Sequence, residues 1–202
     1  MKRLLDIVLV LLAAPLVVPV CLVVALLVAV KLGRPVLFLQ RRAGLDGRTF
    51  TIYKFRSMTN AAGDDGELLP AEQRLTRFGR LLRATSLDEL PQLLNVLAGD
   101  MSLVGPRPLL PEYVERYNAR QRRRMDVRPG VTGLAQVKGR NRLSWEQKFE
   151  LDLEYVENRS LWLDLRIIWL TVMLMLRRGA GVEPEGSAIM PEFRGSPPDE
   201  RD

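Results

Sequence analysis

IVLVLLAAPLVVPVCLVVALLVAV, residues 7–30, is the stretch on which the reading of the fold turns. It carries no charge over 24 positions, roughly 36 Å as one straight helix, enough to span a hydrocarbon core. It is too long for the core of a secretory signal, and no small-x-small cleavage site follows it. Two prolines complicate a plain transmembrane reading. Pro15 and Pro19 stand four apart, with Pro19 near the centre, and each removes a backbone hydrogen bond and crowds the preceding turn. The flanks agree in sign: Lys2 and Arg3 precede the run, and Lys31, Arg34, Arg41 and Arg42 follow it. Positive flanks favour the cytoplasmic side, so both ends prefer the same side. A helix that enters, bends at the prolines and returns satisfies both observations. Kinked spanning helices are also common, and residue physics alone leaves the two open.

The chain has 202 residues, enough for one domain with its own core besides such an anchor. Its formal net charge of +6, from 30 Lys and Arg against 24 Asp and Glu, favours anionic partners such as lipid headgroups, nucleotides or nucleic acid. There is no histidine, which excludes a Ser-His-Asp triad, a paired-histidine zinc site and a histidine phosphorelay. The single cysteine, Cys21, lies inside the apolar run, so there is no disulfide framework or thiolate metal cluster. Carboxylates, Lys, Arg, Ser, Thr, Tyr and a hard cation such as Mg²⁺ remain for chemistry.

Residues 36–42 and 49–55 have strand composition, with the turn dipeptide Asp46-Gly47 between them. Residues 61–70 form a polar loop. The spacing of Leu75, Phe78, Leu81 and Leu82 predicts one helix over 71–84, with Arg74, Arg77, Arg80 and Arg83 on its other faces. Those arginines read either as a solvated face or as contacts to anionic headgroups. A second helical stretch is expected over 109–124 and a glycine-containing loop over 128–142. A helix is expected over 144–157, opened by a capping box of Ser144 and Gln147. Residues 161–176 are strongly apolar, with Trp162 and Trp169 on one side. Their uncharged part, 167–176, is too short to cross a bilayer, which suits an interfacial or core helix. From Gly179 onward the Pro-, Gly- and Glu-rich tail is expected to be poorly ordered in its last several residues.

The chemistry centres on Ser86-Leu87-Asp88-Glu89-Leu90-Pro91-Gln92 and Gly105-Pro106-Arg107-Pro108. Ser86 and Glu89 match a capping box. With Ser86 as cap, however, Pro91 would be the fifth helical residue and would cost a hydrogen bond. With Asp88 as cap, Pro91 falls at the third helical position, where no partner is lost. Asp88 then stands at a helix start, where free N–H groups favour phosphate. Prolines on both sides hold Arg107 on a stiff, extended backbone. It can fork onto a diphosphate, or be a solvated arginine on a surface turn. Lys54 reads as a phosphate donor or an edge-strand charge. The segments holding Arg128 and Arg140-Asn141 could cradle a nucleotide but match no specific phosphate loop. A carboxylate pair with fixed cationic donors suits phosphoryl transfer, where positioning and charge neutralisation supply most of the catalysis.

As a set, these segments resemble the monotopic phosphoglycosyl transferases, the bacterial sugar transferase family, of the small single-domain type. The resemblance rests on Lys2-Arg3 and Asp6 before the proline-broken helix, then residues 52–58, 86–96, 99–108 and 128–137, in order, and covers roughly residues 2–180. One departure is Val18-Pro19 at the helix break, where small members often carry Ser-Pro. The expected fold is α-rich α+β. A re-entrant membrane helix (1–32) leads into a compact cytoplasmic catalytic domain (33–180) with a short β-hairpin and several amphipathic or interfacial helices; a tail (181–202) follows. The resemblance implies transfer of a phospho-sugar from a nucleotide diphosphate sugar, usually a UDP-sugar, to a polyprenol phosphate such as undecaprenyl phosphate, with release of UMP. This would occur at the cytoplasmic face of the bacterial inner membrane, among membrane lipids and without nucleic acid. It casts Asp88 as nucleophile and Mg²⁺ contact and Glu89 as its partner. Lys54, Arg83 and Arg107 match positions around the phosphates, and Arg128, Arg140 and Asn141 are further substrate-binding candidates. A membrane-anchored basic protein binding lipid or nucleic acid without catalysis is the competing class. A Mg²⁺-dependent phosphohydrolase using the same two carboxylates is the competing enzyme.

Overall fold

Helix α1 runs from Lys2 to Leu32, through both prolines. The computed structural model describes residues 1–139, 142–178 and 192–195, without the side chains of Arg177 and Arg178. The burial of α1 is uneven. Its buried residues are Asp6, Val10, Val24 and Val28, so no side chain from 11 to 23 is buried. Leu11, Leu12, Leu16, Val18, Leu22 and Val23 are exposed there. Among the described residues this is the one helix long and apolar enough to cross a membrane. An open apolar surface of this extent needs lipid or a partner to cover it.

Both ends of α1 are held by the same folded body. At its start, Arg3 donates to the Val96 carbonyl and, at 2.8 Å, to that of Leu97. These belong to the last turn of α4 (Gln92–Ala98), the carbonyl end of the helix, which favours a cation. The Asp6 carboxylate accepts from the Ser102 hydroxyl at 2.8 Å and the Leu103 N–H at 3.1 Å. Lys2 pairs with buried Asp164 at 2.7 Å, and Tyr155 donates to the same carboxylate at 2.7 Å. At the other end, Val24 and Val28 pack against Phe55 and Leu82, and Arg56 donates to the Leu32 carbonyl.

The expected hairpin is present. β1 (Leu37–Ala43) pairs antiparallel with β2 (Thr49–Phe55), Phe38 opposite Lys54 and Ala43 opposite Thr49. Asp46 takes the left-handed conformation in the connecting turn (φ 54°, ψ 24°). The other edge of β2 is closed by a side chain rather than a third strand. Asn95, fully buried, accepts from the Tyr53 N–H at 3.1 Å and donates to the Thr51 carbonyl at 2.7 Å. Its amide supplies the pairing that a free edge would otherwise seek.

Two expected helices are broken. Residues 71–84 form α2 (Ala71–Arg74) and α3 (Arg77–Thr85), separated by extended Leu75. The Thr76 hydroxyl accepts from the Gly79 N–H at 3.0 Å and starts α3 afresh. A Cβ at Gly79 would lie 1.8 Å from the Ser57 carbonyl oxygen, so α3 crosses this backbone where only glycine fits. Residues 109–124 also divide. A 3₁₀ turn over Pro111–Arg116 gives way to extended Tyr117, then to α5 (Ala119–Arg122) and a further 3₁₀ turn over Arg123–Met125. Pro111 disfavours helix at Leu110, and Asn118 with Gln121 forms a capping box that restarts the chain.

A second sheet was not expected: β3 (Ser102–Val104) pairs parallel with β4 (Gly130–Thr132). A Cβ on Gly130 would meet the Gly105 nitrogen at 2.1 Å, so this crossing requires glycine. After α6 (Leu134–Lys138) come α7 (Trp145–Asn158), opened by the Ser144–Gln147 capping box as expected, and α8 (Leu161–Arg178). Helix α8 buries Asp164 and Ile167 and exposes Trp162 and Trp169. Most of the tail lies outside the described residues, but Phe193 is buried against Tyr113, Tyr117, Trp145 and Phe149.

Asp6→Ala leaves the Ser102 hydroxyl and the Leu103 N–H without their carboxylate partner. The expected loss is on the order of 2–4 kcal/mol. It should be read as a lower Tm in lipid nanodiscs and faster proteolysis between α1 and β1.

Candidate active site

The site is assembled from four short segments around a cleft of about 790 Å³. β2 contributes Lys54, α3 contributes Arg83, the turn Leu87–Glu89 contributes both carboxylates, and the segment after β3 contributes Arg107. Eight Lys and Arg side chains line the cleft against three carboxylates, Asp88, Glu89 and Asp152.

Asp88 is not the helix cap that the position of Pro91 suggested. It sits in a 3₁₀ turn that starts at left-handed Ser86 (φ 58°, ψ 18°), and Pro91 itself stands at the boundary before α4. The Ser86–Glu89 capping box does not form either. The Glu89 carboxylate is taken elsewhere, because one oxygen, Oε1, accepts from Lys54 at 2.8 Å and from Arg107 at 2.7 Å.

The adjacent carboxylates are therefore treated differently. Burial opposes the charge on Glu89, but Arg107 and Lys54 outweigh it and hold the carboxyl well below the usual range. Asp88 is buried, and among the described residues it forms no ion pair, unlike Glu89. Burial first, and the neighbouring Glu89 charge second, push it up to about 6, against the pull of Lys54, Arg83 and Arg107. Burial and Arg107 lower the hold of Lys54 on its proton, while the Glu89 charge raises that of Arg107.

The backbone around Arg107 is held from three directions. The Gly105 N–H donates to the Thr132 carbonyl at 2.9 Å, and the Leu109 carbonyl accepts from Ala43 at 3.0 Å. Between them, the Arg107 carbonyl accepts from Arg124 at 2.7 Å. Arg124 is buried and paired with Asp152 at 2.7 Å, 5.7 Å from the ring centroids of Tyr117 and Phe149. The segment 105–108, which continues from β3, thus bonds through Gly105 and Pro106 to the segment 128–133 that contains β4, and together they support one arginine.

Arg83 donates to Ser57 Oγ at 2.9 Å at the cleft wall. Arg128 does not line the cleft; its guanidinium donates to the Gly99 carbonyl at 2.8 Å, beyond the end of α4. Arg140 and Asn141 lie outside the described residues. Sequence reasoning did not single out Arg42, Arg56, Arg74, Arg124 or Lys148 as cleft residues. Arg124 follows Arg120, Arg122 and Arg123 in the chain, and its burial leaves no local signal. Its neighbours Arg120 and Arg123 form surface pairs with Glu150 and Glu157.

A cleft this rich in cations, beside an apolar helix clamped at both ends, belongs with enzymes that handle phosphate esters next to a membrane. The family model for bacterial sugar transferases matches residues 1–178, and the chain belongs to that family. It is similar to the uncharacterized sugar transferase EpsL of Bacillus subtilis (strain 168), 54% identical over 169 residues that cover 84% of this chain and 83% of that protein. It is also similar to the UDP-glucose:undecaprenyl-phosphate glucose-1-phosphate transferase of Caulobacter vibrioides, 43% identical over 185 residues, covering 87% of this chain and 69% of that one. A protein of the same description from Klebsiella pneumoniae is 44% identical over 186 residues, covering 85% of this chain but only 39% of its own length.

The raised pKa of Asp88 has a consequence for stability. A carboxyl that ionises at about 6 in the fold, against an ordinary 3.8, favours folding while neutral, and this contribution is lost as pH rises through 6. Asp88→Asn should therefore raise Tm at pH 8, by up to about 3 kcal/mol of stability. The gain should shrink steadily as pH falls from 6 towards 4. A thermal-melt series over that range checks it.

Proposed function

We propose that this chain transfers a phospho-sugar from a UDP-sugar to undecaprenyl phosphate or a related polyprenol phosphate, releasing UMP. The observation that carries the reading is the unequal state of the two carboxylates. Neighbouring groups whose environments push their acidities apart are suited to different tasks. Glu89 is a fixed anion that aims two cations. Asp88 is unpaired and more basic than an ordinary carboxylate, yet mostly ionised near neutral pH.

In the first step an Asp88 oxygen attacks the phosphorus that bears the sugar. The bond from that phosphorus to the bridging oxygen breaks, UMP departs with this oxygen, and the phospho-sugar remains on Asp88 as an acyl phosphate. Lys54 and Arg107 each spend one N–H contact on Glu89 and keep others for the phosphate oxygens. In the second step an oxygen of the polyprenol phosphate attacks the same phosphorus. The Asp88–phosphorus link breaks, and polyprenyl-diphosphate-sugar leaves a free carboxylate behind. The acceptor is already anionic near neutral pH, so the absence of histidine is no obstacle. One diphosphate linkage replaces another, and no separate energy source is needed.

Among the described residues no group of three or more Asp, Glu, His or Cys gathers as a metal cage. Mg²⁺ is commonly held by one or two carboxylates, waters and substrate phosphates, and Asp88 suits the part of a single protein ligand. Mg²⁺ bound there with the diphosphate would offset phosphate charge.

The same reading makes α1 a re-entrant anchor at the cytoplasmic face of the bacterial inner membrane. Both its ends tie to one domain, and the stretch without buried residues, 11–23, spans about 20 Å, short of a ~30 Å hydrocarbon core.

The function is tested by incubating the protein with UDP-sugar alone, then with acceptor. The expected results are parallel double-reciprocal lines and a phospho-sugar mass on the Asp88 peptide. Folded Asp88→Asn protein should release no UMP. UMP release without acceptor at the full catalytic rate, with free sugar phosphate as product, would make the chain a phosphohydrolase instead.

Topology has its own test. A cysteine placed at Met1, in a Cys21→Ala background, should resist an impermeant reagent applied to intact cells and react after lysis. Efficient labelling of intact cells would make α1 a spanning helix, and would leave the transfer chemistry untouched.

A further inference from the structure

Arg42 is a cation without an anion. It lies on β1, where Phe38, Gln40 and Arg42 share one face at two-residue spacing, and all three line the cleft. Its Nη2 donates to Gln40 Oε1, a neutral amide, at 2.6 Å. Its Nε is out of contact with solvent and has no partner. Among the described residues no carboxylate comes within ion-pair distance of Arg42, although eight such pairs form elsewhere. The groups that act on it from the surrounding elements are Arg107, which repels it, and Glu89, Glu112 and Tyr113, which favour its charge. Burial and Arg107 prevail, and its pKa falls to about 10.

Holding a half-buried guanidinium with no ion-paired carboxylate and an unsatisfied Nε, near another guanidinium, costs free energy that the Gln40 amide only partly offsets. A nearby anion would reverse the sign of the interaction for both groups. We propose that Arg42 and Arg107 form a phosphate-ester subsite of the cleft. Arg107 faces the reacting phosphate beside Asp88, and Arg42 holds a second phosphate on its far side. The register supports this division. Lys54 stands opposite Phe38, four residues along β1 from Arg42, roughly 13 Å of strand. The second phosphate is either the nucleoside phosphate of the donor or the monoester of the acceptor. Both present the same oxygens to a guanidinium, and the inference rests on the transfer reaction proposed above.

The experiment compares wild type, Arg42→Gln and Arg42→Lys in lipid nanodiscs. It reads Tm with and without UMP, and KM for UDP-glucose and for undecaprenyl phosphate. Without ligand, Arg42→Gln should melt at or above the wild-type temperature, because a repulsion has been removed. KM should rise about tenfold for the substrate whose phosphate Arg42 holds, with kcat changed less, the size expected for one charge-assisted hydrogen bond. A diminished UMP-induced Tm rise together with a raised UDP-glucose KM assigns the nucleoside phosphate. An unchanged UMP effect with a raised undecaprenyl phosphate KM assigns the acceptor. Arg42→Lys should fall between, keeping charge without the planar fork. A lower ligand-free Tm, with wild-type UMP response and both KM values unchanged, would overturn the proposal and make Arg42 a structural residue. If Arg42→Gln does not fold, Arg42→Lys decides by the same readings. Failure of wild type itself to release UMP would count against the transfer reading. The Arg42 comparison then continues with inorganic pyrophosphate as the ligand, and an equal Tm rise in all three proteins would overturn it.

Discussion

One oxygen of Glu89 is shared by two cations that arrive from separate segments of the chain. Lys54 comes from β2 and Arg107 from the turn after β3, and both reach Oε1 within 2.8 Å. Each member of this cluster is partly withdrawn from water, so removing one leaves the others with an uncompensated charge, which costs more than the pair gains. The arrangement also decides the state of Asp88. Lys54 and Arg107 are already committed to its neighbour, and Asp88 keeps its raised pKa. Much of the surrounding architecture limits the movement of Lys54 and Arg107. Asn95 closes the edge of β2, glycine crossings fix β3 to β4, and buried Arg124 grips the Arg107 carbonyl.

Helix α4 links this cluster to the anchor. Its first turn follows Asp88 and Glu89, its middle carries Asn95 onto β2, and its last carbonyls receive Arg3 from the start of α1. The far end of α1 packs on Phe55 and Leu82, each one residue from a cleft cation, Lys54 or Arg83. The depth of the cleft relative to the apolar helix is therefore set by side-chain packing and buried hydrogen bonds. A flexible linker would let the domain rise and fall; two clamps at the two ends of one helix do not.

Some of this was legible in the sequence, and the misses share a cause. The hairpin was found within a residue because period-two composition and Asp46-Gly47 are local signals. Helix α7 was found because Ser144 and Gln147 cap it reciprocally. The same capping chemistry defeated the reading elsewhere. Thr76 and Asn118 are caps placed inside runs of helical periodicity that continue past them in the sequence. The β3–β4 pair was invisible because three-residue strands leave no pattern, and Ser102 meets Gly130 far along the chain. At the site, Lys54, Arg83, Asp88, Glu89 and Arg107 do line one cleft, while Arg128 turns to a carbonyl outside it. Half-buried Arg42 and buried Arg124 carry no mark in the sequence that tells them from the solvated arginines around them.

The cleft is therefore better understood as an unfinished electrostatic structure than as a preformed mould. Eight cations against three carboxylates, two of those carboxylates already paired to cations, leave like charges facing each other at close quarters. The protein tolerates the repulsion because packing elsewhere, in the aromatic cluster around Phe149 and Phe193 and beneath α1, holds the walls in place. A ligand bearing two phosphates would relieve that repulsion as it binds. Its binding free energy would then include relief of strain already present in the empty protein, without reorganisation at the moment of reaction. On the transfer reaction proposed above, such a cleft would favour multiply charged phosphate esters over singly charged ones before any contact to the sugar or base is made.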